Sequence, residues 1–406
     1  MTGNMLDRAQ ASFVRALAAR IRRGTIVLHD RAGTHRFGEG EPEVHVTVHQ
    51  DAAYGKVLRG GSVALGDTYA DGEWECDDPT ALVTILWRNL AGLAAVTDRI
   101  GRASARTADW VRRRRPEDPE RDRENIRRHY DLSNELFELM LDPTMMYSSA
   151  VFTRPGMTLE EASTAKVDRL CAKLGIGPGD HVVEIGTGWG GFRHPGCLHH
   201  RVPGHDHHHL RGPVRVRNEA GGRRRTHRTR ARAGSGLPRT GGDLRQAGVY
   251  RDDRGRRLAQ PRHLFRHLCP APGPEGLMGL QAIIIDDRSY ERAKNGRDFI
   301  TETIFPGGCI PSIEAIARAV SRATPMRIVD LDDIGRHYAE TLHRWHDSVD
   351  AHREAIARLG LGDRTGRLWD LYLSYCEAAF LERHISDVQV VLAMPGWEPP
   401  LMVRGC

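Results

Sequence analysis

Between Arg193 and Gly273 the chain carries 19 Arg and 10 His against 5 acidic residues, with no Lys, Ile, Met or Trp. No feature constrains the fold more. An Arg-rich stretch of this kind cannot supply buried strands, because each unpaired charge taken from water costs several kcal/mol. Its formal charge of +14 within a chain of net +6 leaves −8 for the rest, so an acidic protein carries a basic insert.

The flanks obey a different pattern. "GDHVVEIGTGWGG" is a continuous apolar run bounded by turn residues, as a buried parallel strand should be. Beyond the window, "GLMGLQAIIID" predicts a strand, "ETIFPGGCIPS" a Gly/Pro loop, and "MRIVDLDDIGRHYAETLHRWHDSV" a strand followed by a helix. "LWDLYLSYCEAAFLERHISDVQVVLAM" predicts a helix and a closing strand. Strands alternating with helices imply an α/β fold with a doubly wound, mostly parallel sheet. Earlier, "PEVHVTVHQ" alternates as strands do, and "DDPTALVTILWRNLAGLAAVTDRI" has helical spacing after an Asp-Pro start.

A length of 406 residues suits one large domain or two smaller ones. The opening "MTGNMLDRAQASFVRALAAR" lacks the apolar core of a secretory signal, and "ALVTILWRNLAGLAAV" is broken by Arg88 and Asn89 and too short to span a bilayer. Seven cysteines without CxxC spacing suggest reduced thiols. A cytoplasmic protein is therefore expected. The connector "VRRRRPEDPERDRENIRRHYD" reads as a solvated linker or as a contact for lipid headgroups.

Glycines after the strand at Val182–Ile185 let the backbone approach a ligand outside the strand's carboxyl end. Such a turn suits a dinucleotide equally well; Glu184, two residues before Gly186, tilts the choice toward S-adenosylmethionine.

At this point the chain resembles the cyclopropane-fatty-acyl-phospholipid synthase family, which includes the mycolic-acid cyclopropane synthases. The resemblance rests on "GDTYADGEW", "HYDLSNELF", "MMYSSAVF", "VVEIGTGWGGF", "PEGLMGLQAI", "IFPGGCIPS" and "WDLYLSYCEAAFLERHISDVQVV", and covers nearly everything outside residues 193–273. It implies a Rossmann-like class I methyltransferase domain at 129–406. It also implies a smaller N-terminal α+β, lipid-associated domain at 1–110 and a charged linker at 111–128. Implied too are an unsaturated acyl phospholipid substrate met at the membrane surface, peripheral membrane association and a possible homodimer.

The resemblance further implies that an alkene attacks the cofactor's methyl group and that a base takes a proton from the resulting cation. A cyclopropane, or a methylene- or methyl-branched chain, results. The base is assigned to a bicarbonate held by a Cys, a Glu, a His and a Tyr. Tyr338 matches the tyrosine, although it could simply pack in a helix. Ser149 stands where cysteine is usual and Gln281 where many members have histidine. The glutamate's place is Arg254, which cannot accept a hydrogen bond. Tyr147, Ser148, Glu184, Gly186 and Gly188 match cofactor contacts, and a glutamine contact is missing at Pro213. Gly190 and Gly191 better suit helix packing. Cys376 matches an active-site cysteine, with a small buried thiol as the bland alternative. His337 and His343 read as helix residues and not as ligands.

His207-His208-His209 cannot converge on one metal ion, since consecutive side chains diverge on a helix or strand, and no metal is expected. A changed reading frame explains the window better. If the last two bases of each codon become the first two of the next, Val214 to Gly221 re-reads as Tyr-Glu-Tyr-Ala-Thr-Lys-Arg-Val. Gly248 to Leu258 becomes Val-Ser-Ile-Glu-Met-Ile-Glu-Ala-Val-Gly-Trp. Residues 193–273 are then expected to be irregular or exposed. The competing readings are an inactive relic of the enzyme and a nucleic-acid-binding protein that uses the arginines; no nucleic acid is expected.

Overall fold

The computed structural model describes residues 5–90, 92, 134–177, 180–185, 189, 198–201, 246–251, 273–305 and 308–399. The expected linker at 111–128 and most of the Arg/His-rich window lie outside these residues.

The N-terminal part comprises α1 (Met5–Ala18), β1 (Gly24–Asp30), β2 (Gly33–Glu39), β3 (Glu43–Val48), α2 (Ala52–Ala70), β4 (Trp74–Cys76) and α3 (Pro79–Arg88). Its sheet runs β2-β1-β3-β4, with β1 and β2 an antiparallel hairpin and β1 parallel to β3. Strand β3 shows the expected alternation: Val44, Val46 and Val48 point inward while Glu43 and His45 face solvent. Helix α3 begins where the Asp-Pro pair predicts, with Pro79 in its first turn and the Asp78 carboxylate accepting from Ala81 N at 2.8 Å. The β1–β2 hairpin has weak apolar alternation and is not evident from the sequence.

The rest contains α4 (Asn134–Met140), α5 (Leu159–Leu174), β5 (His181–Ile185), β6 (Leu198–Arg201), β7 (Gln246–Arg251) and β8 (Leu277–Ile285). After these come α6 (Asp287–Asn295), a π-helical turn (Ile300–Ile304), α7 (Ile313–Ala323), β9 (Arg327–Asp333), α8 (Gly335–Ala351), α9 (Arg353–Arg358), α10 (Gly362–Leu381) and β10 (Ile385–Ala393). The six-stranded sheet has the order β6-β5-β7-β8-β10-β9. Its first four strands are mutually parallel, and β10 runs antiparallel to both its neighbours. Strands at 182–185, 280–285 and 388–392 fall where the sequence predicts them.

One expectation needs correction. The window at 193–273 contributes two strands, β6 and β7, to this sheet. Ladder hydrogen bonds come from backbone groups that every residue type carries, so β5 and β8 can template pairing without help from side chains.

Period-two alternation decides what faces what. On β8 and β10, Met278, Leu280, Ala282 and Ile284 join Val388, Val390 and Leu392 in packing under α7, whose Ile316, Ala319 and Val320 are buried. The opposite face carries Gly279, Gln281, Asp387 and Gln389. There α5 comes so close that a Cβ on Gly279 would lie 2.9 Å from Leu170 Cδ1. A capping box between Thr158 and Glu161 starts α5 and stabilises it by about 1 kcal/mol.

A continuous apolar cluster links the N-terminal part to α8 and α10, from Ile26, Tyr54 and Ile85 to Trp345, Trp369 and Leu373. Gly66 on α2 permits this approach, because a Cβ there would sit 2.3 Å from Phe299 Cδ2. Among the described residues no helix is long and apolar enough to cross a membrane.

Candidate active site

The polar face of β8 and β10 opens into a cavity of about 160 Å³. Five of the residues singled out in the sequence line it: Tyr147, Ser148, Gln281, Tyr338 and Cys376. They come from the loop after α4, from β8, α8 and α10, so only the tertiary fold brings them together.

Tyr147 is held by its neighbours. Its hydroxyl lies 2.7 Å from the Tyr372 hydroxyl, and its ring centroid is 5.1 Å from that of Trp345 and 5.3 Å from that of Phe137. Burial pushes the Tyr372 phenol well above its ordinary range, so it stays neutral and can donate. The buried ammonium of Lys166, on α5, donates to Ser148 Oγ at 2.6 Å. Tyr338 stacks on Phe380 at 4.6 Å and meets Trp345 edge-on at 6.1 Å.

Ser149 does not line the cavity. It is fully buried and its hydroxyl donates to the Ala150 carbonyl at 2.9 Å. Glu184 is buried at the carboxyl end of β5, while Gly186 and Gly188 lie outside the described residues, as do Pro213, Gly190, Gly191 and Arg254. Burial first, and then the nearby Asp298 charge, push the Cys376 thiol far above its ordinary range, so it faces the cavity as a neutral SH group. His337 accepts from Phe152 N at 3.3 Å through Nδ1, and burial lowers its pKa. His343 lies 3.2 Å from Glu377 with half its side chain exposed, so both histidines are helix residues with protein partners.

Sequence reasoning missed Asp387, Tyr372, Trp87 and His384, all of which line the cavity. Trp87, from α3, stacks on His384 with centroids 3.9 Å apart, so the N-terminal part forms one wall. Asp387 belongs to a buried polar row: Gln281 Nε2 donates to its Oδ2 at 2.8 Å, and Gln389 Nε2 donates to Gln281 Oε1 at 3.4 Å. The "SDVQ" spacing put Asp387 and Gln389 on one strand face, and that was the only available signal. Among the described residues no group of three or more His, Cys, Asp and Glu is arranged to hold a metal.

Comparison with known proteins gives one consistent result. The mycolic acid cyclopropane synthetase family model matches residues 117–200 and 262–390. Tuberculostearic acid methyltransferase UfaA1 of Mycobacterium tuberculosis is 33% identical over 380 residues, spanning 86% of this chain and 82% of that one. The cyclopropane-fatty-acyl-phospholipid synthase of Escherichia coli K12 is 30% identical over 385 residues, 90% of this chain and 91% of that one. Among solved structures, the mycolic acid cyclopropane synthase CmaA1 complexed with SAH and CTAB superposes with a TM-score of 0.50 at 26% identity, covering 66% of this chain and 97% of its own. Cyclopropane synthase MmaA2 from M. tuberculosis reaches 0.52 at 24% identity, with the same coverage, and supports the fold.

Proposed function

Since the chain belongs to the mycolic acid cyclopropane synthetase family, and so is an S-adenosylmethionine-dependent methyltransferase of lipid acyl chains with the Rossmann-like class I fold, we propose that its substrate is the double bond of an unsaturated phospholipid. The product is a cyclopropane or a methyl-branched acyl chain, and the lipid is taken from a membrane surface. The observation that carries this reading is a single cavity, walled by aromatic and aliphatic side chains, which Tyr147 and Ser148 share with Tyr338 and Cys376.

The donor set fits the cofactor. Glu184, buried at the carboxyl end of a central parallel strand, suits acceptance from ribose hydroxyls, and Tyr147 offers a fixed ring and hydroxyl on the cavity wall. When bound, S-adenosylmethionine supplies the electrophilic methyl group. The protein's own residues do the rest. Tyr338, Phe380 and Tyr372 exclude water from the cationic acyl carbon, and their π faces favour positive charge. A dry wall prevents capture of the cation by water.

The bicarbonate implied by the resemblance fits less well. Ser149 has turned its hydroxyl to Ala150, and the Gln281 amide is already given to the Asp387 side chain. No step is therefore assigned to it.

Oleoyl phospholipid vesicles incubated with methyl-labelled S-adenosylmethionine test the proposal. Fatty acids carrying one labelled carbon, read by mass spectrometry, are expected from the protein, and in greatest yield from its frame-restored form described below. No labelled acyl chain from either form would overturn it.

A further inference from the structure

We propose that the Tyr375 hydroxyl and the His384 imidazole hold the ester carbonyl of the acyl chain, so that the span from ester to double bond decides which carbons meet the cofactor; the inference rests on the acyl-methylation reading above. Polar side chains on the cavity wall mostly answer to partners in the protein: Tyr147 to Tyr372, Ser148 to Lys166, and Asp298 to Thr301. Tyr375 and His384 line the same cavity, and among the described residues neither side chain makes a hydrogen bond. A half-buried hydroxyl and a half-buried imidazole without protein partners are groups that a bound polar atom would satisfy.

One indole positions both groups. Trp87 stacks on His384 with centroids 3.9 Å apart and meets Tyr375 edge-on at 5.7 Å, while the fully buried Phe299 also meets the Tyr375 ring edge-on, at 5.9 Å. The Trp87 N–H is itself closed off by burial, so this residue contributes its ring and not a donor. Burial, and then the Asp298 charge, push the Tyr375 phenol far above its ordinary range, so it remains a donor. Burial, and then Arg292, lower His384, so near neutral pH its imidazole is uncharged and has one N–H to give. A carbonyl oxygen has two lone pairs and can accept from both.

The chemistry of an acyl phospholipid selects that oxygen. Its hydrocarbon chain and alkene accept no such hydrogen bond. A phosphate would bring its charge toward Asp298, whose own charge acts on both Tyr375 and His384, although Arg292 faces the histidine. The ester carbonyl is the neutral acceptor nearest the chain. Helix α10 supplies the register: it carries Tyr372, which is bonded to Tyr147, and Tyr375 about 5 Å further along its axis. One rigid helix thus presents the ester contact and steadies a candidate cofactor contact, and such fixed spacing is what a positional choice along a featureless chain requires.

The test has two arms. In the first, methyl oleate, the matching octadecene and hexadecyl phosphate, each carried on cyclodextrin, are titrated into the chain as written and into its Tyr375→Phe and His384→Phe variants. Both variants keep a ring for Trp87 to pack on. Each should bind the ester about 5-fold more weakly, the worth of one hydrogen bond, while binding the alkene within about twofold. His384→Gln, which keeps a donor, should retain ester affinity, and circular dichroism melting of each variant separates these effects from misfolding. Equal ester affinity in parent and Phe variants overturns the proposal, as does a loss shared by the alkene or confined to the phosphate. An unsubstituted chain that binds the ester no better than the alkene also overturns it. In the second arm, the frame-restored chain is given oleoyl or vaccenoyl phospholipid, which differ in the span from ester to double bond. The parent should favour one of them in labelled product, and Tyr375→Phe should narrow that preference at least about threefold. An unchanged preference, or none in the parent, overturns the proposal. If the frame-restored chain makes no labelled lipid, the methylation reading falls, while the ester and alkene titration still decides the carbonyl contact.

Discussion

The hydroxyls of Tyr147 and Tyr372 lie 2.7 Å apart, which ties the loop after α4 to the middle of α10 across 225 residues of sequence. Tyr372 is deeply buried and its phenol neutral, so one of the two must donate to the other. Tyr372→Phe removes the bond without leaving a large void. It should cost about 1 kcal/mol of stability, the net worth of a buried hydrogen bond. Because Tyr147 would then lose the hydrogen bond that ties it to α10, S-adenosylmethionine affinity should also fall severalfold, measured by calorimetry. Unchanged affinity would detach Tyr147 from the cofactor.

Tyr338 poses the opposite case. It lines the cavity on α8, stacked on Phe380 and edge-on to Trp345. Tyr338→Phe should slow methyl transfer at least about 10-fold while leaving cofactor affinity within about twofold, the pattern for a group acting in the transition state and not in ground-state binding. An unchanged rate would remove Tyr338 from the site.

These residues show what a sequence discloses and what it hides. The strands around Val182, Leu280 and Val390 were legible because two-residue alternation or unbroken apolar runs have one stable solution in a doubly wound sheet. Tyr147, Gln281, Tyr338 and Cys376 were singled out by motif resemblance, yet only packing places them in one cavity. Ser149 lies away from the cavity because the chain bends at Ser148, which takes the cavity-facing position with Tyr147, while the buried Ser149 hydroxyl turns to the Ala150 carbonyl. Trp87 and His384 were invisible because their stacking joins positions almost 300 residues apart, and no local pattern encodes that.

Cys376 should prove dispensable for chemistry. Its thiol is held protonated by burial and by the charge of Asp298, so it can act neither as base nor as thiolate near neutral pH. Cys376→Ser should retain turnover within about threefold, far from the roughly 100-fold loss expected for a missing acid–base group. Slow labelling by iodoacetamide at neutral pH would agree, and rapid labelling would show that the thiol ionises more easily than its burial allows.

A second network predicts how stability follows pH. His346 Nε2 lies 2.7 Å from Asp370 Oδ1, and the Tyr69 hydroxyl donates to Asp370 Oδ2 at 2.5 Å, which joins α8, α10 and α2. The hydrogen bond to Asp370 raises His346 above its ordinary 6.5, while Asp370, despite burial, is left below its ordinary 3.8 by its bonds from His346 and Tyr69. The histidine's contribution is complete below pH 6.5 and is lost as pH rises through its raised folded-state value. The aspartate's contribution is present above pH 3.8 and is lost as pH falls through its lowered value. His346→Gln should therefore lower Tm clearly at about pH 5.5 and much less at about pH 9. A difference that is constant with pH would show that the pair is not charged in the fold.

The largest effect should come from restoring the reading frame across the window. The family model matches 117–200 and 262–390, and its interruption at 201–261 falls wholly within the 193–273 stretch of anomalous composition. A shift that begins near codon 193 and ends near codon 273 changes 81 consecutive residues while leaving both flanks in register, which is the pattern observed. Strand β7 lies where re-reading turns Gly248 to Leu258 into an apolar, acid-bearing segment, so the backbone ladder already present would gain side chains suited to burial. Removing one base near codon 193 and adding one near codon 273 should give an acidic protein that melts cooperatively, binds S-adenosylmethionine at least about 10-fold more tightly than the chain as written, and methylates oleoyl lipid. Binding by the chain as written should be weak, because the segment following the first glycine loop is dominated by arginine and histidine. If instead the chain as written binds the cofactor tightly, the window is a working part of the protein, and salt-dependent binding of RNA by those arginines becomes the reading to pursue.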